Sequence, residues 1–331
     1  PEAALHPFEY YFKWFPYSIL TNNSFPLYIF FALTSFIVSY TFLKNKNDDK
    51  LKQKIVMRYF RFLPLVLIAC FVAYLLLAFK LCPLEEFYNI TGNTWGYARL
   101  EESYTFLEML KIGFFTSFFE GTQLVSPFWC LHYIFLGSIL SFILMLLYTK
   151  VDNKVFFFGS AIVLFYFVDP NYLAFIIGLI AGIIANKEYS LSKWKGALLV
   201  AVGCVLGLFP PVLLPSFIDI VTLYALGAGF VIVGIHCCFS NNRLLCNKFA
   251  EFLGKESLAL IVWQFLIMQS LNIFIYNYLH GTGMNAPTNI AINFIVNAGI
   301  SLFLTWVSSK TITPLTNYTC NKVSALLWKQ G

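Results

Sequence analysis

Long apolar runs alternate with short polar segments along most of this chain. The runs recur from Phe25 to Ser308, and each covers about 15–22 residues. Because an α-helix rises about 1.5 Å per residue, the longer runs match the roughly 30 Å thickness of the bilayer hydrocarbon. The pattern therefore predicts an all-α fold, namely a polytopic transmembrane helix bundle.

The runs predict about ten helices within one integral-membrane domain over residues 1–331. Residues 5–19 predict the outer end of a first helix, whose amino-terminal part would lie before Pro1, since the chain begins without Met. The predicted complete spans are 25–43, 62–81, 127–148, 155–168, 172–185, 196–210, 217–239, 257–278 and 289–308.

Basic residues indicate the cytoplasmic side of these spans. Eighteen of the 22 Lys and Arg residues fall between alternate spans and so share one side of the membrane. Lys and Arg resist crossing a bilayer and remain in cytoplasmic loops, so we expect a multi-pass protein of the cell membrane with both termini cytoplasmic. The basic segments are 44–61, 150–154, 187–195, 243–255 and 310–329.

The opposite side carries one long acidic segment, residues 82–126. It holds six of the chain's 16 acidic residues. Within it, residues 104–119 have apolar positions at helical spacing, which predicts an amphipathic helix lying at the membrane interface.

The bulk composition agrees with a membrane protein and argues against other classes. The chain is 59% hydrophobic and only 11% charged, whereas a soluble domain has roughly a quarter of its residues charged. The net charge of +6 is spread over separate short loops, so we expect membrane lipids rather than nucleic acid as its partners. The eight cysteines show neither a CxxC pair nor a metal-type spacing with histidine, so no metal is expected.

Two arginines at the mouth of the 62–81 span are candidates for binding an anion. Arg58 and Arg61 are three residues apart and therefore lie on one face of a helix. Two guanidinium groups there could clamp the phosphates of a nucleotide-type donor such as acyl-CoA. The alternative is a topology anchor that contacts lipid headgroups, and the spacing alone favours this alternative.

Two histidines are candidates because polar groups within a membrane are costly. His6 and Glu9 are three residues apart on one helical face, a pairing that suits a general base. An interfacial histidine without a role is the alternative. His132 lies one to two turns inside the 127–148 span, close to Trp129. It could face a cavity or form a hydrogen bond to a neighbouring helix.

The 257–278 span carries an unusual number of amide side chains. They are Gln264, Gln269, Asn272 and Asn277, beside Trp263. Gln269 and Asn272 share a face and could either line a cavity or link helices. The sequence slightly favours the linking role.

Four stretches in this order resemble motifs of the integral-membrane acyltransferase 3 family. Residues 30–37 (FFALTSFI) are similar to its FFxLSGFxI helix, and 58–64 (RYFRFLP) to its RxxRxxP motif. Residues 128–138 (FWCLHYIFLGS) and 252–264 (FLGKESLALIVWQ) resemble its LWTLxxExxGS and LGxxSxxxYLxH segments. Together the stretches cover nearly the whole chain.

The resemblance implies a membrane O-acyltransferase. Such an enzyme moves an acyl group from a cytoplasmic acyl-CoA, in particular acetyl-CoA, to a hydroxyl of a cell-surface glycan or lipid-linked sugar. On this hypothesis Arg58 and Arg61 bind the donor phosphates, and His6 is the catalytic base with Glu9 as its orienting partner. The residues expected to line the passage between the two faces are Trp129, His132 and Gln264.

The chain departs from the family pattern at chemically important positions. The family's Glu in the third segment is Ile134 here, and its late His is Gln264. The Arg that usually precedes the family's catalytic His by about ten residues would lie before Pro1. A transporter or flippase for a glycan or lipid intermediate is therefore an open alternative, as is a non-catalytic family member.

Overall fold

The computed structural model describes most of the chain, and all the regular structure within that part is helical. The described residues are 24–92, 104–122, 124–125, 127–187, 192–209, 214–215, 218–239 and 246–328. Their helices are α1 (Ser24–Asn45), α2 (Asp48–Ala78), α3 (Leu84–Thr91), α4 (Phe106–Lys111), α5 (Ser117–Phe119), α6 (Phe128–Tyr148), α7 (Lys154–Val168), α8 (Leu173–Ala185), α9 (Lys193–Gly207), α10 (Ile220–Phe239), α11 (Lys248–Lys255), α12 (Ser257–Ile267), α13 (Ile273–Gly281) and α14 (Ala286–Leu327).

The predicted all-α membrane bundle is confirmed. Across the described ranges, six helical stretches are long and apolar enough to cross a bilayer, and two further apolar helices are shorter. A π-helical turn, Met268–Asn272, joins α12 to α13 without ending the helix. The predicted 196–210 span corresponds to the 15 residues of α9, about 22 Å of helix. The predicted first helix, 5–19, lies outside the described residues.

The contacts between residues divide the chain into two units. Unit 1 contains the described residues of Val56–His132 and Phe249–Gly331, and unit 2 contains those of Leu5–Ile55 and Tyr133–Lys248. Helices α2 and α6 each contribute residues to both units. The single domain expected from the sequence stays a prediction.

Small residues bring the helices of unit 2 into close contact. Gly178 and Gly182, one turn apart on α8, face Ser35 and Ser39, one turn apart on α1. A Cβ atom added at Gly178 would overlap the carbonyl oxygen of Ala32. This small-xxx-small arrangement lets two backbones approach closely, and it replaces the hydrophobic driving force that lipid cannot supply.

A second glycine contact joins α9 to α10 in the same unit. A Cβ atom on Gly203 would lie 2.6 Å from the carbonyl oxygen of Gly227, and a Cβ atom on Gly227 would lie as close to that of Gly203. Gly207, one turn after Gly203, packs against the ring of Phe25 from α1. Unit 2 is therefore held by reciprocal contacts between backbones.

The predicted amphipathic helix exists, but it does not lie flat at an interface. It is built from α4, a π-helical turn (Ile112–Thr116) and α5. Its start contacts the outer part of α2 through Phe106 and Tyr74, and its end contacts Tyr59 through Phe118. The segment thus runs antiparallel to α2 over about 15 residues, or ~22 Å. A helix lying at the interface would touch α2 at a single level.

Segments that were predicted to share a side of the membrane are neighbours in unit 1. Asn277 Nδ2 donates a hydrogen bond to Glu86 Oε2 at 3.2 Å, and both residues belong to the predicted outer side. Thr313 Oγ1 donates to Glu256 Oε2 at 3.1 Å on the predicted inner side. These two contacts agree with the predicted sides, whereas the hydrogen bond from Tyr59 to Phe114 joins segments predicted on opposite sides. The assignment of the inner side to the cytoplasm stays a prediction.

Candidate functional site

The two candidate arginines lie on one continuous helix. Arg58 and Arg61 belong to α2, whose first turn carries Asp48 and Asp49, a favourable placement of negative charge at a helix N-terminus. The guanidinium of Arg58 lies over the ring of Phe62, with 4.7 Å from Cζ to the ring centroid. The two arginines are three residues apart on this helix and share a face, so a doubly charged anion could balance both charges.

Arg61 lies where α2 passes the carboxyl-terminal part of α14. Its charge acts on the thiol of Cys320, and its own side chain is exposed. Ile68 follows Arg61 by seven residues, two turns further along the same face of α2. Ile68 lines an open cavity of about 320 Å³ between α2, α12 and α14, and the wall residue Leu315 is 51% exposed.

The cavity is lined almost entirely by apolar side chains. Besides Ile68, its walls include Leu304, Ile312 and Leu315 of α14 and Trp263 of α12. The Trp263 indole donates a hydrogen bond to Ser308 Oγ at 2.6 Å, which fixes the ring at the cavity wall. Such a lining suits an acyl chain, whose burial is favourable in proportion to its apolar area.

A short segment connects the arginine level of α2 with His132. Tyr59, which follows Arg58, donates a hydrogen bond to the carbonyl oxygen of Phe114 at 2.9 Å. The segment then turns at Gly121, whose φ of +78° favours glycine. A Cβ atom at Gly121 would lie 3.1 Å from Nδ1 of His132. A larger residue there would therefore displace the imidazole.

The predicted passage residues do not share one environment. His132 is half-buried, as expected for a histidine that faces protein. Trp129 is 44% exposed and Gln264 is also exposed, so unit 1 does not enclose either side chain. The buried amides of this helical stretch are Gln269 and Asn277. Ile134 is buried among apolar residues, at the position of the family's Glu.

His6 and Glu9, the predicted catalytic base and its partner, lie outside the described residues. Their roles stay predictions.

A row of buried polar residues follows one face of α14, which we call the polar face. It spans 20 residues, or about 28 Å, close to the hydrocarbon thickness of a bilayer. Every buried residue of α14 in this stretch is polar. These residues are Asn289, Asn293, Asn297, Ser301, Thr305 and Ser308.

Several side chains of the polar face bind the neighbouring helix directly. Asn297 Nδ2 donates to the backbone oxygen of Gln264 at 3.3 Å, and Asn289 Nδ2 donates to that of Tyr276 at 3.0 Å. The Trp263–Ser308 bond joins the same pair of helices. These bonds link the two helices through side chains of α14 and Trp263. Among the 257–278 amides, Asn272 has the linking role that the sequence favoured, since its Nδ2 donates to the backbone oxygen of Asn293 at 3.1 Å.

Four amide atoms without partners lie in this region, one on Asn293 of the polar face and three on the helical stretch Ser257–Gly281. Within the described residues, Gln269 Nε2 and the Oδ1 atoms of Asn272, Asn277 and Asn293 are buried and accept or donate no hydrogen bond. The first and last of these side chains are each 8% exposed. Buried polar atoms are usually paired, so these exceptions call for a ligand or water.

Sequence reasoning named the amides on the 257–278 span but missed their partners on α14. The signal was present in the spacing, because Asn289, Asn293 and Asn297 recur every four residues. A polar stripe of that period within an apolar run predicts a face turned away from lipid.

No protein-family model, curated protein or solved structure matches this chain. The family resemblance therefore depends on the sequence motifs alone.

Proposed function

We propose that the protein is a membrane O-acyltransferase that takes its acyl group from an acyl-CoA, in particular acetyl-CoA. Arg58 and Arg61 bind the phosphates of the donor. The acceptor is a hydroxyl of a cell-surface glycan or lipid-linked sugar, and the protein resides in the cell membrane with both termini in the cytoplasm. His6 removes the proton of the attacking hydroxyl, and Glu9 orients it.

One observation carries this proposal: the arginine face of α2 leads directly to an apolar cavity. Arg61 and Ile68 are two turns apart on that face, and Ile68 lines the cavity of about 320 Å³. In an acyl-CoA the phosphates are followed by the uncharged pantetheine arm and then by the thioester and acyl group, so the cavity two turns beyond Arg61 would receive the arm. A lipid-headgroup anchor would need the charges but not the adjoining cavity.

The donor site is tested with Arg58→Gln and Arg61→Gln in membranes supplied with radiolabelled acetyl-CoA. Losing a hydrogen bond to a charged group costs roughly 1.5–3 kcal/mol, so each variant should raise the KM for the donor about tenfold or more. Lys54→Gln removes a cation one turn earlier on α2 and should leave the KM unchanged. Wild-type KM in both arginine variants would refute the donor site.

The catalytic base is tested separately with His6→Ala. We expect loss of acyl transfer with an unchanged amount of folded protein in the membrane. Acylation of the native acceptor at the wild-type rate by this variant would exclude His6 as the base.

A second candidate, a transporter or flippase for a glycan or lipid intermediate, is favoured by the polar face of α14. A buried polar stripe about 28 Å long could carry a polar solute past the hydrocarbon without covalent chemistry. The same stripe would also fit a non-catalytic member of the family.

Mass spectrometry of surface glycan from cells with and without the gene separates these functions. Loss of acyl groups with unchanged glycan export supports transfer. Loss of export supports transport, and an unchanged glycan in both respects supports a non-catalytic role.

A further inference from the structure

The cavity between α2, α12 and α14 has an open side. Two of its lining residues, Thr311 and Leu315, are exposed. The lining extends along α14 from Leu304 to Leu315, so it begins within the predicted span 289–308 and ends beyond that span, on the predicted inner side. All three helices belong to stretches that are long and apolar enough to cross a bilayer. The opening therefore lies where the headgroups of the inner leaflet meet its hydrocarbon.

The walls of the cavity favour an apolar occupant. Two of the lining residues carry a hydroxyl group, and both groups take part in hydrogen bonds within the protein. Ser308 Oγ accepts from the Trp263 indole, and Thr311 Oγ1 donates to the backbone oxygen of Val307 at 2.9 Å. A polar group that left water for this cavity would lose its hydration and find few partners. An alkyl chain has no such cost, and its burial is favourable in proportion to its area.

A positive charge lies beyond the cavity on the predicted inner side. Arg61 is exposed and immediately precedes the predicted span 62–81. It shares a face of α2 with Ile68, which follows it by two turns, or about 10 Å. The headgroup region adds roughly 5–7 Å to each side of the hydrocarbon. A lipid phosphate at Arg61 is therefore at the right depth for its acyl chain to pass Ile68 and enter the cavity.

We propose that the cavity binds an acyl chain of an anionic phospholipid from the leaflet on the predicted inner side, with the lipid phosphate at Arg61. Basic pockets between membrane helices on the cytoplasmic side bind anionic headgroups in other membrane proteins. The lipid site does not depend on acyl transfer. An acyl-CoA would place its phosphates and its arm in the same two positions, so lipid and donor exclude each other. This competition rests on the proposed function above.

The test is the quenching of tryptophan fluorescence by phospholipids with brominated acyl chains, since bromine quenches a tryptophan that it contacts. The purified protein is placed in nanodiscs of phosphatidylcholine that contain a small fraction of brominated phosphatidylglycerol or, for comparison, of brominated phosphatidylcholine. Trp263 lies in the cavity wall, and its share of the quenching is the part lost in Trp263→Phe. Phosphatidylglycerol should quench Trp263 with an affinity about fivefold higher, the preference that one basic residue near a membrane surface gives.

Trp306 is the matched control for ordinary lipid contact. It lies on α14, is 52% exposed and does not line the cavity. The share of the quenching lost in Trp306→Phe should be the same for the two lipids. Arg61→Gln, made alone and together with Trp263→Phe, should abolish the preference at Trp263, whereas Lys54→Gln should retain it. Equal quenching of Trp263 by the two lipids, or a preference that persists in folded Arg61→Gln, would overturn the proposal.

Acetyl-CoA separates the lipid site from the proposed function. Excess acetyl-CoA should reduce the quenching of Trp263 by phosphatidylglycerol, because donor and lipid share the site. Preferential quenching that acetyl-CoA does not relieve supports the lipid site and counts against the donor site. If the arginine variants raise the KM for the donor but both lipids quench Trp263 equally, the lipid site is refuted and the proposed function stands.

Discussion

The two units solve the same problem of holding helices together in lipid by different means. In unit 2, glycine and serine at one-turn spacing bring α1 against α8 and α9 against α10 until backbones touch. In unit 1, amide and hydroxyl side chains hold α14 against α12 and α13 through hydrogen bonds. Close packing of two backbones requires no hydrogen bond from a side chain. At the amide contacts, by contrast, some side-chain oxygen and nitrogen atoms have no hydrogen-bond partner.

This difference indicates which unit is suited to binding. A glycine interface depends on the absence of space, so it cannot admit a ligand without losing its contacts. A carboxamide has two polar atoms, and the bond to the partner helix uses one of them. In unit 1 four amide atoms, on Gln269, Asn272, Asn277 and Asn293, are buried without a hydrogen-bond partner.

The largest expected effect is the loss of a glycine contact in unit 2. Gly178→Leu places a side chain against the backbone of Ala32, which cannot move aside as a flexible side chain would. We expect the free energy of unfolding to fall by about 3 kcal/mol or more. The measurement is titration of the purified protein in micelles with dodecyl sulfate, followed by circular dichroism.

Gly159→Leu is the matched control for this prediction. Gly159 lies on α7 of the same unit, and a Cβ atom there meets no neighbour. Equal unfolding midpoints for Gly178→Leu and Gly159→Leu would show that close backbone contact does not hold unit 2 together.

A smaller effect is expected when an amide that links helices is removed. Asn297→Leu deletes the hydrogen bond to the backbone of Gln264 and should lower the free energy of unfolding by about 1 kcal/mol. Gln269→Leu removes an amide without a protein partner and should change it by less than about 0.5 kcal/mol. A larger loss from Gln269→Leu than from Asn297→Leu would contradict the distinction between amides with and without a protein partner.

The Trp263–Ser308 bond should contribute still less. We expect a double-mutant cycle of Trp263→Phe and Ser308→Ala to give a coupling of about 0.6 kcal/mol, the average for hydrogen bonds between membrane helices. The four unfolding free energies come from the same titration. Additive single substitutions would show that the bond does not couple α12 to α14.

The smallest effect is expected at the exposed ion pair of α11. Lys255 Nζ lies 2.7 Å from Glu251 Oε1, and its hydrogen bond and charge hold the pKa of Glu251 below the ordinary value. Because the folded-state pKa is lowered, any stabilisation is present above the ordinary glutamate pKa and is lost as the pH falls through the lowered one. Solvent screens the pair, so Glu251→Gln should leave the unfolding midpoint unchanged near neutral pH. A clear shift there would mean that this loop helix contributes to holding unit 1 together.

Much of the fold could be predicted from periodicity, but the packing of its helices could not. Each described predicted span overlaps a helix, because an apolar run of sufficient length has few alternatives in a bilayer. The bounds were less accurate, since α2 already begins at Asp48 and α14 continues to Leu327. The 104–119 helix was also predicted. Its position alongside α2 depends on contacts between segments distant in sequence, because Tyr59 of α2 bonds to Phe114 and Gly113 lies against Leu67 of α2. Spacing within one segment carries no information on such contacts.

The candidate site shows the same division. The sequence identified Arg58 and Arg61 as neighbours, because three residues along a helix determine which side chains share a face. It also named Gln269, Asn272 and Asn277, without showing that α14 supplies Asn293 opposite Asn272. Gln264 resembled a passage residue in the motif, but it is exposed, since the rotation of a helix within a bundle is set by its neighbours.

The sequence by itself determined that this is a helical membrane protein, because hydrocarbon thickness and the cost of moving basic residues across it act on each segment separately. Only the tertiary structure decided that an apolar cavity forms between α2, α12 and α14 and that Asn272 meets Asn293 of a different helix. Both features arise where helices distant in the chain approach each other. They depend on packing energies that no single segment contains.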